Sequence, residues 1–211
     1  MCGITGFIDN ARSLSDLNAM TESLAHRGPD DYGYYCSNGV GLGHRRLSII
    51  DLSDAGHQPM TFNKKLIIYN GEIYNYAEVK KQLELEGYTF TSSSDTEVII
   101  KAFDCWKEKC VDRFIGMFAF AIYDPADDAL YLFRDRVGVK PLYYYFNEDR
   151  FAFASELKSF KHYLSDEEKH QLNPLAISSF FRYGYISNNR SILKNVFKVP
   201  PGHFLVYKTI A

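Results

Sequence analysis

The sequence predicts a layered α+β domain in which helices cover packed sheets, and three observations carry that prediction. Aromatic content is high, with 16 Tyr and 16 Phe against one Trp, and these residues fall with β-branched ones in short runs of strand length. The run "GMFAFAIYD" (116–124) is apolar through Tyr123, with large Phe118, Phe120 and Ile122 alternating with small Ala119 and Ala121. A strand buried on both faces in this way implies a sheet held between other layers. Between the strand runs stand segments whose apolar residues recur at helical spacing.

In order, "GITGFI" reads as a buried strand. "SLSDLNAMTESLAH" reads as a helix, with Leu14, Leu17, Met20 and Leu24 at helical spacing behind a Ser or Asp cap. Ser37-Asn38-Gly39 is a hairpin signal, with Gly41 and Gly43 on the return strand. "KLIIYNGEIYN" carries a strand into a turn at Asn70-Gly71, and "YAEVKKQLELEGY" is a helix stopped by Gly87. "SSSDTEVIIKAFDCWKEK" gives a second such helix, with Val98, Ile99, Ala102, Phe103 and Trp106 on one face. Four strands follow, "GMFAFAIYD", "ALYLFRD", "PLYYYF" and "RFAFASE", separated by "PADD", "RVGVK" and "NEDR" turns. Beyond about residue 165 the chain turns polar, a helix is expected after Pro174, and a Pro-Gly turn enters a last strand that reads as cut short.

The 211 residues suit one large domain, or one domain plus a tail, able to bury roughly 70% of the unfolded surface. A formal charge of −2 argues against a nucleic-acid surface and favours small-molecule chemistry. Cys2, Cys36, Cys105 and Cys110 form no CxxC pair and no secreted disulfide framework, so a reducing cytoplasm is expected. No leader, membrane span or lipidation signature is read, and the chain is expected to start at its own functional end. The six histidines lack paired short spacing, so no metal is expected, and "GVGLG" is a tight strand rather than a phosphate loop.

Chemistry concentrates at a few positions. Cys2 follows Met1 and precedes Gly3. Once Met1 is removed, its own α-amine lies close enough to activate the thiol, although a buried strand cysteine is the commoner role for an arbitrary Cys. Gly3 is expected to leave room for substrate beside that terminus. In "YNGEIYN", the Asn70 carboxamide and the Gly71 amide offer two donors for an oxyanion, with a plain turn as the competing reading. Arg45 and Arg46 stand at a strand end, where alternation lets at most one face a pocket and grip a carboxylate. Asp95 is either a helix N-cap or a partner for a substrate ammonium, and Glu72 is a second acid of the same kind.

With Cys2-Gly3-Ile4, "HRGPDD", "GHRRLSIID", "GHQP", "YNGEIYN", "SDTEVI", "GMFAFAIYD", "RDRVGVKPLYY" and "FASELKS" in this order, the chain resembles class II glutamine amidotransferases. Within them it is most similar to the glutaminase half of glutamine-hydrolysing asparagine synthetases. The resemblance covers nearly the whole chain. It implies a four-layer α/β/β/α sandwich of N-terminal-nucleophile type, with two stacked, mainly antiparallel sheets. Residues 1–165 would be the glutaminase domain, and 166–211 a connecting segment toward a synthetase domain absent from this chain.

The resemblance also implies roles. Cys2 would attack the side-chain amide of L-glutamine and pass through a thioester, Asn70 and Gly71 would form the oxyanion hole, and Arg46 would hold the α-carboxylate. Glu72 and Asp95 would hold the α-ammonium, and the main chain at Ile49 and Ile50 would line the pocket. The expected partners are glutamine and the synthetase domain, with a homodimer allowed for. No cofactor is expected in this domain, while ATP and Mg belong to the missing one. Two other readings compete: the same glutaminase feeding a different carboxylate such as a sugar acid, and a module kept for regulation without turnover, which a retained Met1 would favour.

Overall fold

The first strand sets the frame. The computed structural model describes residues 1–48 and 54–208, and in it β1 (Gly3–Ile8) is buried along its whole length. It lies between β3 (Val40–Arg46) and β9 (Arg150–Ala154) in a six-stranded sheet of order β10-β8-β9-β1-β3-β2. The remaining members are β2 (Asp31–Ser37), β8 (Tyr143–Asn147) and β10 (Val196–Lys198). The second sheet has the order β11-β7-β6-β5-β4. Its strands are β4 (Met60–Phe62), β5 (Lys65–Ile73), β6 (Gly116–Asp124), β7 (Ala129–Arg134) and β11 (Phe204–Lys208). Every strand pairing is antiparallel.

Three apolar clusters separate four layers. Ile4, Ile8 and Leu42 of the first sheet meet Ile68, Ala119, Ala121, Leu130 and Leu132 of the second. The outer face of the second sheet packs Phe118, Phe120 and Ile122 against α2 (Tyr76–Leu85) and α3 (Asp95–Trp106). On the far side, Phe7 and Ala152 pack against Leu17 and Met20 of α1 (Leu14–Glu22) and against Phe160 and Tyr163. The sandwich is therefore α/β/β/α, as expected. The alternation in β6 has a direction: its large residues face the helices, and its small ones let the two sheets approach. Fully burying each large side chain contributes about 1.5–3 kcal/mol, so this strand anchors two interfaces at once.

Several local expectations change. Asn70-Gly71 is no turn: β5 runs through both, with Asn70 opposite Ala119 and Gly71 opposite Phe118. A side chain at position 71 would bring its Cβ to 2.3 Å from the Met117 carbonyl oxygen and 2.7 Å from the Phe118 Cα. The glycine thus allows close strand approach, not reversal. Leu14 is exposed, and Leu24 is buried just beyond the end of α1. Burial in α3 extends beyond one face to Ile100, Lys101 and Glu97. The hairpin after β2 does reverse at Asn38 and Gly39, both with positive φ (51° and 74°). From residue 166 onward, α4 (Asp166–His170) and α5 (Pro174–Tyr183) precede β10 and β11, which add an edge strand to each sheet.

Candidate active site

Strand alternation aims the site residues before any contact is considered. Successive side chains leave opposite faces, so Cys2 follows the parity of Ile4 and Ile8, toward the second sheet. Arg46 follows Leu42 and His44 to the same side. From across the gap, Asn70 and Glu72 follow Ile68. The four converge where the inter-sheet core opens, in a cavity of about 140 Å³ lined also by Asp95, Gly71 and Lys140. A cavity of roughly 150 Å³ takes a ligand of benzene size, and here Met1 still forms part of the wall.

The Cys2 sulfur accepts the Leu47 N–H at 3.4 Å. Burial pushes the thiol pKa up, and the Leu47 hydrogen bond, the positive chain terminus and Arg46 only partly offset it. A protonated, buried thiol needs a base beside it before it can attack.

Asn70 is fully buried, yet among the described residues neither its Oδ1 nor its Nδ2 has a hydrogen-bond partner. Leaving an amide so costs about 1–3 kcal/mol. Such an orphan on a cavity wall is a candidate contact for a ligand's polar atoms.

Arg45 and Arg46 divide as alternation requires. Arg45 turns outward and donates to Glu22 at 2.7 Å, while Arg46 lines the cavity. Gly56 makes the space for Arg46, since a Cβ there would lie 2.1 Å from its Nη2.

Asp95 is not the N-cap of α3. Ser94 fills that role, accepting from the Thr96 N–H. Asp95 Oδ2 instead accepts from the Tyr69 hydroxyl at 2.7 Å and the Ile73 N–H at 3.0 Å. Burial raises its pKa against both of those bonds. Glu72 also lines the cavity. The candidates Cys2, Arg46, Asn70, Gly71, Glu72 and Asp95 are thus brought together, while Ile49 and Ile50 lie outside the described residues.

Gly3 has a different task from the one expected. A Cβ there would come within 2.9 Å of the Leu24 Cβ, so its smallness admits the turn after α1 rather than substrate. The parity of β1 explains this, because Gly3 and Cys2 face opposite ways.

Several further residues brace the cavity without a local signal in the sequence. Arg27 Nε donates to the Cys2 carbonyl at 2.8 Å, and its Nη1 donates to Glu156, also at 2.8 Å. Gln58 accepts the Tyr69 N–H at 2.6 Å and donates to Thr96 at 3.1 Å, tying β5 to the start of α3. "HRGPDD" and "GHQP" held these two in plain view, but no local rule gives a loop Arg or Gln a partner more than ten residues away. Lys140 gave no signal beyond its turn.

A family profile described as a glutamine amidotransferase domain matches residues 1–211. The chain belongs to this family. As a glutamine amidotransferase domain it is 40% identical over 229 residues to "Putative asparagine synthetase (glutamine-hydrolyzing) 2" of Methanocaldococcus jannaschii, with 98% of the chain and 44% of that relative covered. It is 39% identical over 211 residues to asparagine synthetase (glutamine-hydrolyzing) 1 of Bacillus subtilis, covering 96% of the chain and 33% of the relative. The amidotransferase chain therefore spans less than half the length of these curated relatives. Among solved structures, glutamine phosphoribosylpyrophosphate amidotransferase from B. subtilis superposes with a TM-score of 0.72 at 20% identity, over 97% of the chain and 47% of that structure. That likeness supports the fold.

Proposed function

We propose that this domain hydrolyses L-glutamine to glutamate and ammonia through a thioester on Cys2, after removal of Met1. The observation that carries the reading is the buried Asn70 amide, unpartnered among the described residues, on the wall of the cavity that Cys2 also lines. In the first half-reaction the freed α-amine takes the thiol proton as sulfur bonds to the amide carbon, and the oxygen becomes an oxyanion held by the Asn70 side chain and the Gly71 N–H. Collapse breaks the C–N bond, and the α-ammonium returns its proton to the departing nitrogen, which leaves as ammonia. Water then attacks the thioester, giving its proton to the amine. Breaking the C–S bond releases glutamate and restores the thiol. Arg46 pairs with the substrate α-carboxylate, and Glu72 and Asp95 with its α-ammonium, so that only the α-amino acid end is gripped.

In this reading the ammonia passes to an asparagine synthetase part of a longer cytoplasmic protein. The segment from 166 onward leads there while still contributing its two edge strands. ATP and Mg belong to that part, and no step here runs through them. The names of the relatives support the asparagine reading. A second acceptor is favoured by another relative, named amidase chry2, of Gibberella zeae, 34% identical over 98% of this chain and 32% of its own length.

The test is Cys2→Ala in a Met-processed protein, read by glutamate release. Loss of turnover is expected, and unchanged turnover would refute the mechanism. Feeding aspartate or other carboxylates with ATP to the full-length protein then identifies the acceptor.

A further inference from the structure

Lys140 is held in place more tightly than a turn residue needs to be. It lies between β7 and β8, where Asp135 collects the loop by accepting the N–H groups of Val137 at 3.2 Å, Val139 at 2.9 Å and Lys140 at 2.9 Å. Arg134 closes the loop from the other side, donating to the carbonyls of Lys140 and Gly138, each at 2.8 Å. The Lys140 backbone is thus fixed at both its N–H and its C=O.

Its side chain is only 4% exposed and reaches the cavity wall. There its Nζ contacts the Met1 sulfur at 3.2 Å. No carboxylate among the described residues lies in ion-pairing range of that ammonium. Buried lysines are rare unless paired, and a thioether is a weak acceptor. The contact also disappears once Met1 is removed.

We propose that Lys140 is a positioning residue for the chemistry: its ammonium faces the mature Cys2 terminus and keeps the α-amine unprotonated near neutral pH. The proposal rests on Cys2 acting through its own amine. Like charges held close together on one cavity wall disfavour each other, so with Lys140 and Cys2 lining the same cavity the amine stays free to take the thiol proton, and the same field favours the thiolate.

The other charges facing this point are Arg27 from the loop after α1, Arg46 from β3, Glu72 from β5, Asp95 at the start of α3, and Asp135 beside Lys140 itself. Arg27 is paired with Glu156. Asp95 is bonded by Tyr69 and Ile73, and Asp135 by its own loop. Burial, with Arg27 nearby, lowers the Lys140 pKa, while the fields of Cys2, Asp135 and Glu72 oppose that fall.

The experiment measures, on the Met-processed full chain, the pH dependence of glutaminase kcat/KM and of Cys2 labelling by a diazoketone analogue of glutamine. In Lys140→Met the acidic limb should move up by about one pH unit, with the rate at pH 7 falling about tenfold. Lys140→Arg, which keeps the charge, should hold the limb near that of wild type. A limb unmoved in Lys140→Met, with Cys2 still labelled in wild type, overturns the role of Lys140 alone. Wild-type protein that is not labelled at Cys2 overturns the reading beneath it as well. If Lys140→Met does not fold, the wild-type α-amine, followed by its 15N shift, decides the matter. Titration below the usual range of about 7.7–8.0 is expected, and a value within or above that range overturns the proposal.

Discussion

Replacing Asn70 with Ala separates chemistry from stability, because this side chain is fully buried and bonded to nothing among the described residues. Removing it orphans no partner. The fold sheds an amide whose unmet hydrogen bonds cost about 1–3 kcal/mol, and loses about 1 kcal/mol through the space vacated. Net stability should therefore stay within about 1 kcal/mol of wild type. Turnover should not. One oxyanion donor is typically worth about 10²–10³ in kcat, or about 2.7–4 kcal/mol, and because the oxyanion exists only after attack, KM should hardly change.

The assay pairs glutamate release, for kcat and KM, with urea denaturation of the same preparation. A kcat within about threefold of wild type would refute the oxyanion assignment. A stability loss above about 2 kcal/mol would show that the amide has a structural partner after all.

Burial drives the His44 pKa down to about 3, against the pull of its contact with the Tyr69 carbonyl. The unfolded chain, titrating near about 6.5, binds the proton first, so stability should fall as pH drops from about 6.5 toward 3. The loss is about 2 kcal/mol by pH 5, and His44→Gln should flatten this slope in urea midpoints taken at pH 7 and pH 5. Burial pushes the Glu97 carboxyl up, but Lys101, Ser92 and Thr91 more than reverse it, to about 2. Its contribution is present above about pH 4.5 and lost as pH falls toward 2, and Glu97→Gln should cost about 1.5–3 kcal/mol at pH 7 in denaturant titrations. Gly3→Ala presses a Cβ onto Leu24 and should cost about 1–3 kcal/mol in stability with KM for glutamine unchanged. A raised KM in a protein of normal stability would restore the substrate-room reading.

The elements were legible wherever a local rule governs them. The strands 116–124, 129–134, 143–147 and 150–154 stand where aromatic runs and turn residues put them, and Asn38-Gly39 reverses its hairpin because both residues accept positive φ. Asn70-Gly71 misled because the same dipeptide serves a turn and a close strand approach. Only the pairing with Met117 and Phe118 separates the two. Residue chemistry marked the candidates and the family resemblance carried their roles, and parity explains their convergence: Arg46, Asn70 and Glu72 occupy the inward phase of β3 and β5, and Cys2, just before β1, continues that of Ile4 and Ile8.

The sequence by itself determined which residues prefer strand or helix and which strand is buried on both faces, since these follow from local backbone preference and hydrophobic period, while the roles of the site residues were carried by the family resemblance of its ordered motifs. Tertiary structure alone decided that Arg27 would grip the Cys2 carbonyl from 25 residues away, that Gly56 would make space for Arg46, and that Lys140 would reach the same cavity from 138 positions beyond Cys2. Those contacts depend on two sheets meeting at a fixed register. Register is set by the packing of the whole inter-sheet core and is written in no single stretch of the chain.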